Sequence, residues 1–226
     1  MRFSSTKATI LSPAVLLVLA VSSLGAEQSV IGANRIATAQ QEFQQGRFDA
    51  ALAALEEADK GAEASGRSLD LRGCIYLEQQ KFAEAVNAFT GAAESDPASL
   101  GQIHVGDAWA RQRKWPEARA AYETALKGTN ILMLNERLRF AILMTHLGEK
   151  NDPAAQKALE RILFPTESAA YYYAQAVWAF AHEQKREGQQ WLGRADDIFS
   201  SKSTAWFARF LFDFGWIKRK PEPVFE

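Results

Sequence analysis

Few residues in this chain have the types and spacing that chemistry requires. Its histidines are His104, His146 and His182, and its one cysteine is Cys74. A zinc-metallopeptidase pair needs two histidines four apart on a helix with a glutamate between them. His182-Glu183 has no second histidine at that distance. Glycine loops that cradle phosphate and the nucleophile elbow G-x-S-x-G are both absent. The carboxylate pairs Glu56-Glu57 and Asp196-Asp197 are neighbours in sequence. An acid and a base must converge across a cleft, whereas adjacent residues on a helix point apart, so these pairs read as solvated faces. Cys74 follows the small Gly73 and reads as buried filler. The residues therefore point to no catalytic group, no metal site and no bound cofactor. A net charge of −1 gives no reason to expect nucleic acid as a partner.

The elements that position these residues come in two parts. At the start, Arg2 and Lys7 precede an apolar run from Ala14 to Val21 and then small residues up to Ala26. That order is the pattern of a secretory signal peptide, expected over 1–26, with cleavage after Gly25 or Ala26. The mature chain is expected to be exported, periplasmic or extracellular, with no integral membrane span. An uncleaved segment acting as an anchor is the alternative.

After it the sequence repeats. An aromatic (Phe48, Phe82, Trp115) is followed by an alanine three later (Ala51, Ala85, Ala118). A large residue comes four after that (Leu55, Phe89, Tyr122), and then another alanine (Ala58, Ala92, Ala125). Spacings of three and four lie on one helical face, and the period between copies is about 34 residues. Upstream of each stretch, a small residue lets the neighbouring helix approach: Gly73 in the second copy and Gly106 in the third. Two weaker copies follow, around Ala155 with Leu159 and around Gly188 with Leu192. Asp152 and Pro153 are read there as a cap and first helical residue.

This pattern resembles the tetratricopeptide repeat, a helix–turn–helix unit with a W-x2-L-G-x2-Y…A-x3-F…P signature. Gly73, Tyr76, Phe82, Ala85, Phe89, Ala92 and Pro97 carry the resemblance best. It implies an all-α fold, a right-handed α-solenoid of about five units plus a C-terminal capping helix. The array is expected over 27–202, in units of about 32–65, 66–98, 99–131, 132–165 and 166–200. A capping helix at 203–217 and a tail at 218–226 follow.

In the resembled family the first helix of each pair lines a concave groove that takes a protein or peptide. By register that groove falls on Gln40, Phe43, Gln44, Asp70, Leu77, Glu78, Ile103, Asp107, Arg111, His146, Tyr173, Val177 and Phe180. The Lys/Asn/Arg clamp of chaperone-tail binders has Ile36, Gln40, Leu71, Leu100 and His104 in its places and is absent. Half of the aromatic residues lie between Tyr171 and Trp216. The capping helix is apolar nearly all round, so Trp206, Phe210, Phe212 and Trp216 form a second candidate surface for docking. The functional expectation is a non-enzymatic interaction scaffold of the cell envelope. Its alternative is a homo-oligomer assembled through the last helix.

Overall fold

A computed structural model describes residues 32–60, 64–96, 100–223 and 225. The expected signal segment at 1–26 lies outside them. Among the described residues there are eleven helices and no strand. The first, α1, is helical over 32–44. Then come α2 (Phe48–Ala58), α3 (Gly66–Glu78), α4 (Phe82–Ser95), α5 (Gly101–Arg111) and α6 (Trp115–Gly128). They are followed by α7 (Leu132–Gly148), α8 (Asp152–Leu159), α9 (Ala170–Ala181), α10 (Lys185–Asp196) and α11 (Ser201–Asp213). Odd and even helices pair as the two arms of five repeats, each packed on the next, which makes an α-solenoid. No helix among the described residues is long and apolar enough to cross a membrane.

Small and large residues interlock the arms. A Cβ added at Gly73 would come within 2.4 Å of the Phe89 ring, and one at Gly106 within 2.4 Å of the Tyr122 ring. Phe89 and Tyr122 are fully buried, so each ring lies flat against backbone that only glycine leaves open.

The turn inside each repeat is also periodic. Gly46, Gln80, Arg113, Lys150 and Glu183 all have φ between +57° and +74°. Each turn closes with a bond from the following amide back to the helix, such as Lys81 N to Tyr76 O at 2.8 Å and Lys114 N to Trp109 O at 3.0 Å. This is a left-handed C-terminal cap. Gly215, at φ +76°, builds the same turn at the end of α11, with Trp216 N donating to Leu211 O at 2.9 Å. Helix α11 is therefore a sixth first arm, followed by an irregular tail instead of a second arm. In the fourth repeat the cap is Asn151, whose side chain accepts from Ala154 N at 3.3 Å. Asp152 and Pro153 lie inside the first turn, which corrects the assignment of Asp152 as the cap.

The apolar interior divides in two. One cluster runs through repeats one and two and into repeat three, around Phe43, Leu55, Ile75 and Phe89. The other fills repeats three to five, around Tyr122, Phe140, Met144, Val177 and Phe207.

Candidate functional site: the concave groove and its own C-terminal segment

The inner faces of α1, α3, α5, α7 and α9 line a groove, and α11 lies in it. An ordinary cap would stack on α10 at the end of the array. Here α11 packs on α9 and turns across the concave face, because its aromatic face finds more apolar surface there. Trp206, Phe207, Phe210 and Leu211 are buried. The Phe140 ring meets those of Phe207 at 5.1 Å, Phe210 at 5.6 Å and Trp206 at 6.1 Å, all edge-to-face. Tyr173 meets Phe207 at 5.4 Å. Edge-to-face contacts of this kind add to the burial of each ring.

Polar groups fix the register. Trp206 Nε1 donates to Asp107 Oδ2 at 3.0 Å, and Tyr122 Oη donates to the other oxygen at 2.7 Å. The Arg137 guanidinium lies 4.6 Å from the centre of the Trp206 ring. Further along, Glu78 collects three cations: Arg111 at 2.9 Å, Arg209 at 3.0 Å and Lys220 at 3.0 Å. Arg111 also faces Asp213 at 3.6 Å and donates to Leu77 O at 2.9 Å. The tail follows the same groove towards repeat one. Phe214 packs on Trp115 at 5.5 Å, and Trp216 stacks on Phe180 at 5.9 Å. Phe225 is buried in the N-terminal cluster, with the Arg67 guanidinium 5.6 Å from its ring centre.

A cavity of about 680 Å³ remains between α11, the tail and the groove floor. Of the residues expected to line the groove, Phe43, Leu77, Glu78, Asp107, Arg111 and Phe180 line this cavity. Asp70 lies beneath it, hydrogen-bonded to His104. Ile103, Tyr173 and Val177 are buried in the C-terminal cluster, Tyr173 against α11 itself. Gln40 accepts from Arg67 at 3.3 Å, and Gln44 is exposed. His146 sits apart, beside Arg119 and Glu149. Trp206, Phe210 and Trp216 of the expected docking helix also line the cavity. Phe212 is half-buried, with the Arg209 guanidinium 6.0 Å from its ring centre. The two surfaces read separately from the sequence therefore face one another within one chain.

Sequence reading did not single out Arg209, Asp213, Lys220 and Phe225 as groove groups, nor Glu136. Arg209 and Asp213 stood out only as polar groups near the Tyr171–Phe180 region, and nothing local marks a contact across 131 residues such as Arg209 to Glu78. Glu136 is buried and accepts from Ser168 N at 2.9 Å and Glu167 N at 3.0 Å, which ties the start of α9 to α7.

The groove floor holds a buried polar cluster. Asp70 Oδ1 and His104 Nδ1 are 2.7 Å apart, and Cys74 lies near both, so that one donor atom from each falls within 4.8 Å of the others. Two ligands on one tetrahedral zinc ion stand roughly 3.3 Å apart, given zinc–nitrogen and zinc–oxygen bonds near 2 Å. The Asp70–His104 separation is instead that of a hydrogen-bonded ion pair. Burial opposes the imidazolium of His104, but the Asp70 carboxylate outweighs it by charge and hydrogen bond, with Asp107 adding to it, and the His104 pKa is raised. Burial pushes the Asp107 carboxyl up, against the pull of His104, Tyr122 and Trp206. This arrangement suits recognition: a groove with aromatic walls and a few fixed charges.

The tetratricopeptide-repeat family profile matches residues 71–130. No curated protein matches the sequence. Among solved structures, a thermophilic tetratricopeptide-repeat protein of Thermus thermophilus is similar at TM-score 0.62 and 15% identity, over 81% of this chain and 98% of that one. PilF of Pseudomonas aeruginosa is similar at TM-score 0.62 and 13% identity, over 84% of this chain and 88% of that one. A tetratricopeptide-repeat protein of Parabacteroides merdae is similar at TM-score 0.55 and 15% identity, over 82% and 74%. At these identities the likeness is one of fold. The periodic glycine–aromatic interlock, the repeated left-handed turns and the family match over 71–130 agree: the chain carries tetratricopeptide-type repeats and has the fold of a tetratricopeptide-repeat solenoid.

Proposed function

We propose that this chain is a non-enzymatic protein–protein interaction scaffold of the cell envelope, exported by its N-terminal segment, with the concave groove as its recognition surface. Tetratricopeptide repeats as a fold serve to hold protein partners. One observation carries the choice of surface: the groove already holds a helix and a tail, with matched rings and paired charges along its length. A surface that seats one aromatic, charged segment has the chemistry to seat another.

The experiment places a photo-crosslinking amino acid in the full chain, in cells. Two positions belong to the groove, Gln44 by its repeat register and Arg113 in the lining of the cavity, and two, Lys127 and Lys157, are exposed on the second arms. One partner captured from the groove positions alone, and lost in Arg111→Glu, is the expected result. Capture only from the second arms would contradict the proposal. For the envelope part, an alkaline phosphatase fusion after residue 40 should be active outside the cytoplasm, and an inactive fusion refutes export.

A second reading, self-association, is favoured by a different observation. The large apolar side chains that stay exposed are Ile131, Leu132, Met133, Leu163, Phe164 and Ile198. Among the described residues, Ile131, Leu163, Phe164 and Ile198 lie in the connections between repeats from the third onward and Leu132 and Met133 in the first turn of α7, positions that share one edge of a solenoid. A homo-oligomer would form along that edge, since α11 turns its aromatic face inward. Sedimentation of the wild type against Leu163→Ser/Phe164→Ser tests it, and an unchanged mass refutes it.

A further inference from the structure

The C-terminal segment is held unequally along its length. The first half of α11 is anchored: Trp206, Phe207, Phe210 and Leu211 are buried among Phe140 and Tyr173. From Phe212 onward the rings of Phe212, Phe214 and Trp216 are only half-buried, and Phe214 and Trp216 line the cavity of about 680 Å³. The cavity is open to solvent, and its size is room beside the segment that the segment itself does not fill.

The groove is also built to lose this occupant without an orphaned charge. If the tail leaves, Glu78 keeps Arg111, and Arg111 keeps both Glu78 and the Leu77 carbonyl. Removing one partner of a buried pair is costly when the other is stranded, and here it is not. The tail contributes two features at a fixed separation. Lys220 reaches Glu78 at 3.0 Å, and Phe225, five residues on, is buried in the N-terminal cluster with the Arg67 guanidinium 5.6 Å from its ring centre. Between them Pro221 and Pro223 hold the chain extended.

We infer that the C-terminal segment from Phe212 to Pro223, with Phe225, forms a displaceable strap that occupies the seat of a partner's extended segment. That segment carries a basic side chain for Glu78 and, about five residues later, an aromatic ring for the N-terminal cluster beside Arg67. The inference rests on the groove being the recognition surface, and it names the class of partner: an extended basic–aromatic peptide that competes with the chain's own tail.

The test uses the full chain and a fluorescein-labelled peptide of residues 217–226, followed by anisotropy. In the wild type the tethered tail competes at millimolar effective concentration. Loosening it with Lys220→Ala/Phe225→Ala should tighten peptide binding roughly tenfold or more. Both substitutions lie in the tail, beyond the helices, so the array stays folded, and its circular dichroism checks this. Adding Glu78→Gln to the loosened chain should abolish binding, as should Lys220→Glu or Phe225→Ala in the peptide. If the loosened variant should misfold, excess unlabelled peptide on the wild type should still raise the protease sensitivity of the Lys218–Lys220 stretch. Equal binding by wild-type and loosened chains, binding indifferent to Glu78, or a strap whose cleavage the peptide leaves unchanged would each overturn the inference. A partner captured at Gln44 and Arg113 despite such a result would keep the groove as recognition surface and remove only the strap.

Discussion

Replacing Glu78 with glutamine removes one charge from the point where α11, the tail and two repeats meet. The Glu78 side chain is 7% exposed and bonds Arg111, Arg209 and Lys220 at 2.9, 3.0 and 3.0 Å. A charge-assisted hydrogen bond to a buried group contributes about 1.5–3 kcal/mol. Lys220 is half exposed, so its share falls in the range of surface pairs, about 0–1 kcal/mol. Neither arginine is stranded by the change, because Arg111 keeps the Leu77 carbonyl and Arg209 keeps Asp213 at 3.3 Å. The loss therefore stays below the cost of a broken isolated buried pair, and about 2–3 kcal/mol is expected for Glu78→Gln. Lys220→Ala should cost less than about 1 kcal/mol.

Urea unfolding followed by two probes reads more than the total. The first tryptophan in the chain is Trp109, so fluorescence reports repeats three to five and α11, while circular dichroism reports every helix. Repeat arrays couple only neighbours, and the contact from α11 to Glu78 is a long-range exception that joins the two apolar clusters. In Glu78→Gln the circular dichroism transition should begin at lower urea than the fluorescence transition, whereas in the wild type the two coincide. A change of less than about 0.5 kcal/mol with coincident transitions, within the noise of a surface substitution, would refute the reasoning.

Other consequences follow from the packing and the buried charges. Gly73→Ala drives a methyl into the Phe89 ring and should destabilise by about 1–3 kcal/mol, whereas Gly193→Ala, with nothing within 4 Å, should stabilise α10 by about 0.5–1 kcal/mol; thermal unfolding of both variants separates close approach from helix propensity. The raised His104 pKa means that its pairing contributes fully below its unfolded value, near 6.5, and is lost as pH rises through the folded value. Unfolding free energy should therefore fall as pH rises above about 6.5, and the slope should shrink in Asp70→Asn. Trp206→Phe removes the donor to Asp107, leaving Tyr122 as its hydroxyl partner, and should cost about 1.5–3 kcal/mol by urea unfolding, with a further rise of the Asp107 pKa visible by NMR.

The repeat could be read from the sequence because its cause is local. Gly73 with Phe89, and Gly106 with Tyr122, are spaced by helical periodicity, and the structure uses each pair as a contact. The left-handed turns were not legible as such. Only Gly46 among the five carries the residue that favours positive φ, while Gln80, Arg113, Lys150 and Glu183 are held there by the arms they join. The direction of α11 was least legible. A helix apolar all round announces that it is covered, but not by what. The cover is built from Glu78, Asp107 and Phe140, whose own positions along the groove depend on the stacking of four repeats. Pro221 and Pro223 mark the tail as non-helical, but neither Lys220 nor Phe225 belongs to a periodic element that would place it against a particular partner.

The most direct measurement of the groove's occupancy is zero-length carbodiimide crosslinking of the wild-type chain at low micromolar concentration, read by peptide mass spectrometry. An isopeptide between Lys220 and Glu78 within single chains is expected, since the two groups are 3.0 Å apart. Lys220 joined to other carboxylates with none at Glu78, or joined to Glu78 only between chains, would contradict a groove filled by its own C-terminal segment.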